Sequence, residues 1–340
     1  MADLSTDIVV IGAGILGLAV AVELTARGRD VCVVDLGDPN ASSVAAGMIA
    51  PAFESVLEGA DAARAELLRA AGGLWPSFAR SYGLTLDHRP AEWRGPDPDS
   101  MATRLGDLGF RFELRAGTVA ALDDMRIDPA DAMARLLASL SFRGIRSRAQ
   151  AIERVDDGWV VLTERGSIFA SHVVVATGVG APVKGLSQPA VQAVGAVRPI
   201  AGQIGVVAQT LTDRVLRGPG GYVVPAGQGA LIGATMVEGQ MPALIDPSAS
   251  ARLIAQAEAL IGRSLDAAVE WRAAVRGATP DGLPLAGPVG ESIHLALAPR
   301  RNGWLLAPLV ARTVADGIEG RPCGPYAAAL DPLRFNPREG

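Results

Sequence analysis

The first 35 residues constrain the fold more than any other part of the chain. Asp7–Ile11 is a short apolar run expected to form a strand buried on both faces. Leu16–Arg27 has helical spacing and composition, and Asp30–Asp35 (D-V-C-V-V-D) again predicts a buried strand. Strand, turn, helix and strand within about 30 residues make a βαβ unit, which requires a parallel sheet. The turn reads Gly12-Ala13-Gly14-Ile15-Leu16-Gly17, a G-x-G-x-x-G. Gly12 permits the tight turn, Gly14 lets backbone approach a pyrophosphate, and Gly17 lets the helix pack close to the strand. The helix start offers N–H groups and positive partial charge to that pyrophosphate. Asp35 ends the second strand, where an acid accepts hydrogen bonds from a ribose. The motif alone does not separate FAD from NAD. Asp35 disfavours NADP, whose 2′-phosphate would face a carboxylate.

The uncharged run 8–22 is bracketed by Asp7 and Glu23 and interrupted by three glycines. It is shorter than the roughly 20 residues of a membrane span. No basic stretch precedes it, so it does not read as a signal peptide, and a cytoplasmic location is expected. The whole chain has 340 residues, 49% of them hydrophobic and 20% charged, which fits a folded protein of about two domains. With a net charge of -5 and no long basic stretch, nucleic acid is not an expected partner. The two cysteines, Cys32 and Cys323, make neither a disulfide framework nor an all-cysteine zinc site. His88, His172 and His294 lack ligand spacing, so no metal site is expected.

Further along, helices are expected at Ala60–Ser81, Pro129–Ser141, Pro247–Ile261 and Trp304–Ile318. Strands are expected at Gly144–Arg154, Trp159–Thr163, Ser171–Ala176, Gln203–Ala208, Gly221–Pro225, Ala230–Ala234, Ala268–Val275 and Ile293–Ala298. Residues 83–124 read as mixed, with a Pro-rich turn at Arg89–Pro98, and from Pro182 to Pro199 the composition shifts to Gly, Pro, Gln and Val. No repeat or long linker appears, so two domains must interleave. The segment Asn40–Pro51 (N-A-S-S-V-A-A-G-M-I-A-P) is rich in small residues and can lie against a cofactor.

Four motifs occur in order: G-A-G-I-L-G, S-S-V-A-A-G-M-I-A-P, H-V-V-V-A-T-G at 172–178 and R-N-G-W-L-L-A-P at 301–308. G-Y-V-V-P at 221–225, G-A-T-M at 233–236 and T-P-D-G-L-P at 279–284 accompany them. Together they resemble the D-amino-acid oxidase family of FAD-dependent amine oxidases, and within it the glycine oxidase group associated with thiamine biosynthesis. The resemblance spans nearly the whole chain and is weakest over 83–124. It implies an α/β (α+β overall) fold: a Rossmann-like FAD domain interleaved with a substrate domain on an antiparallel sheet. The expected FAD-binding domain is 1–82, 125–190 and 270–340; the expected substrate domain is 83–124 and 191–269. FAD contacts carried over fall on Gly12, Gly14, Ile15, Asp35, Ser43, Ala45, Ala46, Gly47, Met48, Ala149, Ala176, Gly178, Arg301, Asn302, Gly303, Trp304 and Leu305. Gly17 joins them from the turn motif. Neither cysteine stands where a covalent flavin link needs one, so FAD is expected to be non-covalent.

The resemblance also implies the chemistry: oxidative deamination of glycine or small amino acids and amines. Such a reaction needs a fixed carboxylate, a neutral amine and exclusion of water, rather than a side-chain base at Cα. Arg276 is the expected carboxylate ligand, since a planar guanidinium binds a carboxylate bidentately. Tyr222 aligns near that carboxylate and Met236 with the pocket wall. The Gly303 carbonyl accepts from the substrate amine, and the helix start at 301–304 faces the flavin N1–C2=O edge. Two departures from the family pattern bear on substrate size: Gly277-Ala278 stand where Pro-Gly is usual, and Gly220 replaces a larger polar residue. Molecular oxygen is the expected electron acceptor; the competing readings are a dehydrogenase serving a quinone or carrier protein, a nicotinamide-binding protein and a non-catalytic flavin subunit. Homo-oligomerisation is left open.

Overall fold

The computed structural model describes residues 2–139, 143–180 and 183–336. Two compact units are built from interleaved stretches: 1–43, 133–200 and 276–340 in the first, 44–132 and 201–275 in the second. These bounds differ from the expected domains in four places: 44–82, 125–132 and 270–275 cluster with the second unit, and 191–200 with the first.

In the first unit the strand Leu4–Ile11 lies between Val31–Asp35 and Gly166–Val175, all parallel. Arg143–Arg146 extends the sheet beyond Val31–Asp35, and Ile293–Leu297 adds in parallel to the far end of Gly166–Val175. The hairpins Ala149–Val155/Gly158–Thr163 and Leu285–Gly290/Ile293–Leu297 complete the sheet with antiparallel pairs. Val9, Ile11, Cys32, Val34, Val173, Val175 and Leu295 form its buried core. The helix Ile15–Ala26 is buried along almost its whole length and packs against the C-terminal helix Gly303–Ile318. An apolar helix without a polar face is what burial on all sides produces.

The expected strand Gly144–Arg154 is in fact two strands, broken at Ser147–Arg148. The first half pairs in parallel with Val31–Asp35, the second antiparallel with Gly158–Thr163, so no single straight strand serves both partners. A helix at Gln188–Gly195, absent from the expectations, carries Pro at its first turn. The expected helix from Pro129 is observed over Pro129–Ala138, and its expected end at Ser141 lies outside the described residues.

The second unit holds a mainly antiparallel sheet. Gly221–Ala226 lies between Gly229–Gly233 and Leu216–Gly218, and Leu216–Gly218 pairs in parallel with Ala91–Trp93. A hairpin of Phe112–Arg115 and Thr118–Ala121 continues beyond Ala91–Trp93. The short strands Met48–Ile49, Met125–Ile127 and Leu86–Asp87 form a separate three-stranded sheet. Phe53, Trp93, Leu105, Val119 and Val224 centre the core. Among the described residues no helix is long and apolar enough to cross a membrane, and no three potential metal ligands cluster.

Candidate cofactor site

The three glycines of the first turn divide by what surrounds them. Gly12 has φ +109°, and a Cβ there would lie 2.4 Å from the Ala176 carbonyl oxygen. A Cβ on Gly17 would lie 2.0 Å from the Gly12 carbonyl oxygen. These two glycines are required by the fold itself. Gly14 is different: its φ of -68° suits any residue, and its added Cβ would meet only Ser42 Oγ, at 3.4 Å. Nothing in the chain demands glycine there. The space its missing side chain leaves, at the start of a buried helix, is the cradle a pyrophosphate requires, so the residues fit a bound dinucleotide.

Asp35 holds this turn. Its Oδ2 accepts from Ala13 N at 2.8 Å and its Oδ1 from Gly37 N at 2.6 Å. Ser42 Oγ accepts from Ile15 N at 2.9 Å, and the Ser42 carbonyl accepts from Trp304 Nε1 at 3.2 Å. Asn40 Oδ1 accepts from the backbone of Ser42 and Ser43, which fixes the one-turn helix Ala41–Val44. Beside Asp35 opens a cavity of about 530 Å³, lined among others by Val33, Asn40, Ser43, Met133 and Ile145. Apolar walls next to a carboxylate suit an adenine ring carrying a ribose. Met133 and Ile145 were not expected from the sequence; they come from a helix and a strand more than 90 residues beyond Asp35.

Ala176 and Gly178 follow the strand Gly166–Val175, where Ala176 N donates to the Ile11 carbonyl at 2.8 Å. They therefore flank the same turn. Ala149 does not line the cavity: it opens the strand Ala149–Val155 and pairs with Thr163. The strand end beside Asp35 is Ile145–Arg146.

The C-terminal motif reaches the same place. Ala298 and Arg300 have φ of 58° and 52°, a tight turn that delivers the chain into the helix Gly303–Ile318. Buried Asn302 caps that helix without a side-chain hydrogen bond. A Cβ on Gly303 would lie 3.5 Å from Ile15 Cγ2, so the starts of two helices abut. Their positive ends face one region, an arrangement that favours negative charge. Arg301 and Leu305 flank this start. Arg276, half-buried, belongs to the strand Val269–Ala278. Arg300 N donates to the Gly277 carbonyl at 2.9 Å, which ties the residue after Arg276 to the 298–303 turn.

In the second unit, Gly47 has φ +70° and a Cβ on it would overlap the Ile127 carbonyl oxygen at 2.0 Å. Ile127 N donates to the Gly47 carbonyl at 2.9 Å and Met48 pairs with Arg126, so Ala45–Met48 is held by the strand Met125–Ile127. Asp124, just before that strand, accepts from Ala52 N at 2.8 Å and Phe53 N at 3.3 Å. Burial pushes its carboxyl up to about 7, against the pull of those two N–H bonds and of Arg217. Arg217 Nη1 donates to Glu54 Oε1 at 2.7 Å in a buried pair. No local pattern marks Asp124 or Arg217, because each acts on a segment 70 or more residues away. Tyr222 is half-buried and stands opposite Gly233; a Cβ on Gly233 would meet its hydroxyl oxygen at 2.5 Å, so the ring crosses bare backbone. Half-buried Met236 follows that strand. Gly220 has φ +78°, and a Cβ there would meet Gln256 Nε2 at 2.5 Å.

The sequence profile of a family described as FAD dependent oxidoreductase matches residues 7–317. The bifunctional protein ThiO/ThiG of Synechocystis sp. is 29% identical over 97% of this chain and 54% of that protein, so the chain spans about half the length of this relative. A glycine oxidase of Geobacillus kaustophilus is 29% identical, over 92% of this chain and 93% of the relative. The crystal structure of glycine oxidase from Geobacillus kaustophilus superposes with a TM-score of 0.82 at 24% identity, covering 97% of this chain and 99% of that one, a likeness of fold.

Proposed function

This chain belongs to the FAD dependent oxidoreductase family, and on that premise we propose that it oxidises glycine or small amino acids and amines, releasing the imino product to hydrolyse to an oxo acid and ammonia. FAD, when bound, supplies the acceptor for the hydride that leaves the substrate Cα and passes the electrons to oxygen as hydrogen peroxide. The chain's own residues do the rest. Gly14, Ile15, Ser43 and Asp35 hold the dinucleotide, without a covalent link. The helix start at Asn302–Leu305 stabilises negative charge on the reduced ring.

Arg276 binds the substrate carboxylate and so orients Cα. Tyr222 and Met236 serve the substrate side, and the Gly303 carbonyl accepts from the amine N–H and so orients it. The observation that carries this reading is the bond from Arg300 N to the Gly277 carbonyl, which sets the backbone of Arg276 beside the turn that starts the helix Gly303–Ile318. A carboxylate ligand and a helix start on adjacent backbones suit a reaction that must register Cα against an acceptor.

Arg276→Ala tests it. Removing one partner of a desolvated charge pair costs about 2–5 kcal/mol, or roughly 30-fold to several-thousand-fold in kcat/KM. Arg276→Lys restores part of the loss, because an ammonium lacks the fork. An amine without a carboxylate is affected far less. FAD content stays unchanged. Wild-type kcat/KM in Arg276→Ala, or loss of FAD instead, contradicts the assignment.

A further inference from the structure

Gln203 lies in the strand Arg198–Val207 and is 1% exposed. All its hydrogen-bonding groups are engaged by two short stretches of the second unit. Its backbone N donates to Thr235 Oγ1 at 2.9 Å, and its carbonyl accepts from Thr235 N at 3.2 Å. Its side-chain Oε1 accepts from Asp246 N at 2.7 Å, while Nε2 donates to the Asp246 carbonyl at 3.2 Å and to Ser250 Oγ at 2.9 Å. The amide thus pairs with both backbone groups of one residue, as a neighbouring strand would. Only a side chain with an acceptor and a donor side by side does this.

Thr235 and Asp246 are the two ends of the loop 236–245. One buried residue therefore closes the base of that loop from both sides. Val237–Glu238 forms a short strand at the edge of Arg198–Val207, and beyond it the tip is open: Met241, Leu244 and Ile245 are 56%, 65% and 49% exposed. The loop's only charged residue is Glu238. Met236 is its first residue.

We propose that Gln203 is a positioning residue for the substrate: by fixing both ends of loop 236–245 it sets Met236 and the apolar tip, and so makes the enzyme favour amines whose side chain is absent or apolar over charged ones. This rests on the reading that Met236 serves the substrate side. Replacing the amide leaves the buried Asp246 N–H without its acceptor, while the Asp246 carbonyl keeps its bonds from Ser250 N at 2.9 Å and Ser250 Oγ at 3.0 Å, so the far end of the loop is loosened at its N–H side. Thr235 keeps its bonds, since they are to backbone atoms of residue 203.

The FAD-loaded wild type, Gln203→Leu and Gln203→Glu are compared in anaerobic flavin reduction by glycine, D-alanine, D-leucine, D-aspartate and D-lysine, with chymotrypsin cleavage followed in parallel. In Gln203→Leu the dissociation constant of the best substrate is expected to rise about tenfold, equivalent to about 1.4 kcal/mol. The limiting rate changes little, and the preference for apolar over charged substrates shrinks. Cleavage within 236–245 accelerates while FAD content and the visible spectrum hold. Gln203→Glu, which keeps the acceptor for Asp246 N, lies between. Faster cleavage with unchanged affinity and preference overturns the proposal, as does no change in either readout, or an equal loss for every substrate together with FAD.

If neither variant folds, hydrogen exchange on the wild type decides. Exchange in 236–245 should slow when isobutyrate, an apolar carboxylate that cannot be oxidised, is bound; unchanged exchange overturns the proposal. Failure of the oxidase reading is seen separately, as no reduction of the wild-type flavin by any amino acid.

Discussion

Gly14→Ala separates the role of the cofactor from that of the fold. The backbone at Gly14 already has φ -68°, so alanine adopts it without strain. The new methyl meets only Ser42 Oγ, at 3.4 Å, a contact the hydroxyl can relieve by a small shift. Trading glycine for alanine at this helix cap costs about 0.5–1 kcal/mol, offset by about 0.4–1 kcal/mol from the stiffer unfolded chain. Apoprotein stability should therefore stay within about 0.5 kcal/mol of wild type. In the proposed FAD site the methyl stands where the pyrophosphate approaches. Forcing an extra methylene into a close-packed contact costs about 1–3 kcal/mol, which is roughly a 5- to 150-fold weaker Kd. Gly12→Ala is the control. Its Cβ lies 2.4 Å from a backbone oxygen at φ +109°, so it should destabilise the apoprotein itself. The assay titrates FAD into apoprotein by fluorescence quenching, alongside urea unfolding without FAD. Wild-type Kd in Gly14→Ala would refute the argument, as would an apoprotein destabilised as much as Gly12→Ala.

Two buried groups give opposite pH signatures. Asp124 has its carboxyl raised to about 7 by burial, so its contribution to stability is complete below the unfolded value near 3.9 and is lost as pH rises through about 7; Asp124→Asn should flatten that part of the urea-unfolding profile. The same variant leaves one of the Ala52 and Phe53 N–H groups without an acceptor, costing about 1–3 kcal/mol at low pH. His294 is lowered to about 4 by burial and by the neighbouring His172, so it is neutral when folded. Between pH 6.5 and about 4 the unfolded chain binds the extra proton, and stability falls with acidification by roughly 3 kcal/mol. His294→Gln should remove that slope, and an unchanged slope would contradict its assignment to His294.

The first βαβ unit was legible because it is local. Asp7–Ile11, the glycine turn, the helix and Asp35 specify one another within about 30 residues, and the structure places them within a residue or three of expectation. The elements missed were short or of mixed polarity. Phe112–Arg115 is a mostly exposed strand, so it carries no alternation of burial to read. The helix Pro98–Asp107 hides in a stretch whose prolines suggest only turns, although Asp97 caps it through Ser100 N. The cofactor side showed a similar split. Glycines and Asp35 announce a phosphate turn, but Met133 and Ile145 join the cavity only once a distant helix and strand have folded beside Asp35. Asp124 and Gln203 are likewise invisible in sequence, because what defines each is a backbone group it bonds far along the chain.

The most direct test of the account is anaerobic reduction of the wild-type flavin by an amino acid and by the hydroxy acid of the same carbon skeleton. Glycine or a small D-amino acid should bleach the flavin. At low substrate the rate should rise from about pH 6 to 10, as the amine loses its proton. The matching hydroxy acid should leave the spectrum unchanged, and admitting oxygen should restore the oxidised flavin with one peroxide per substrate. Bleaching by the hydroxy acid with a flat pH profile, or no bleaching by any amino acid while FAD remains bound, would contradict it.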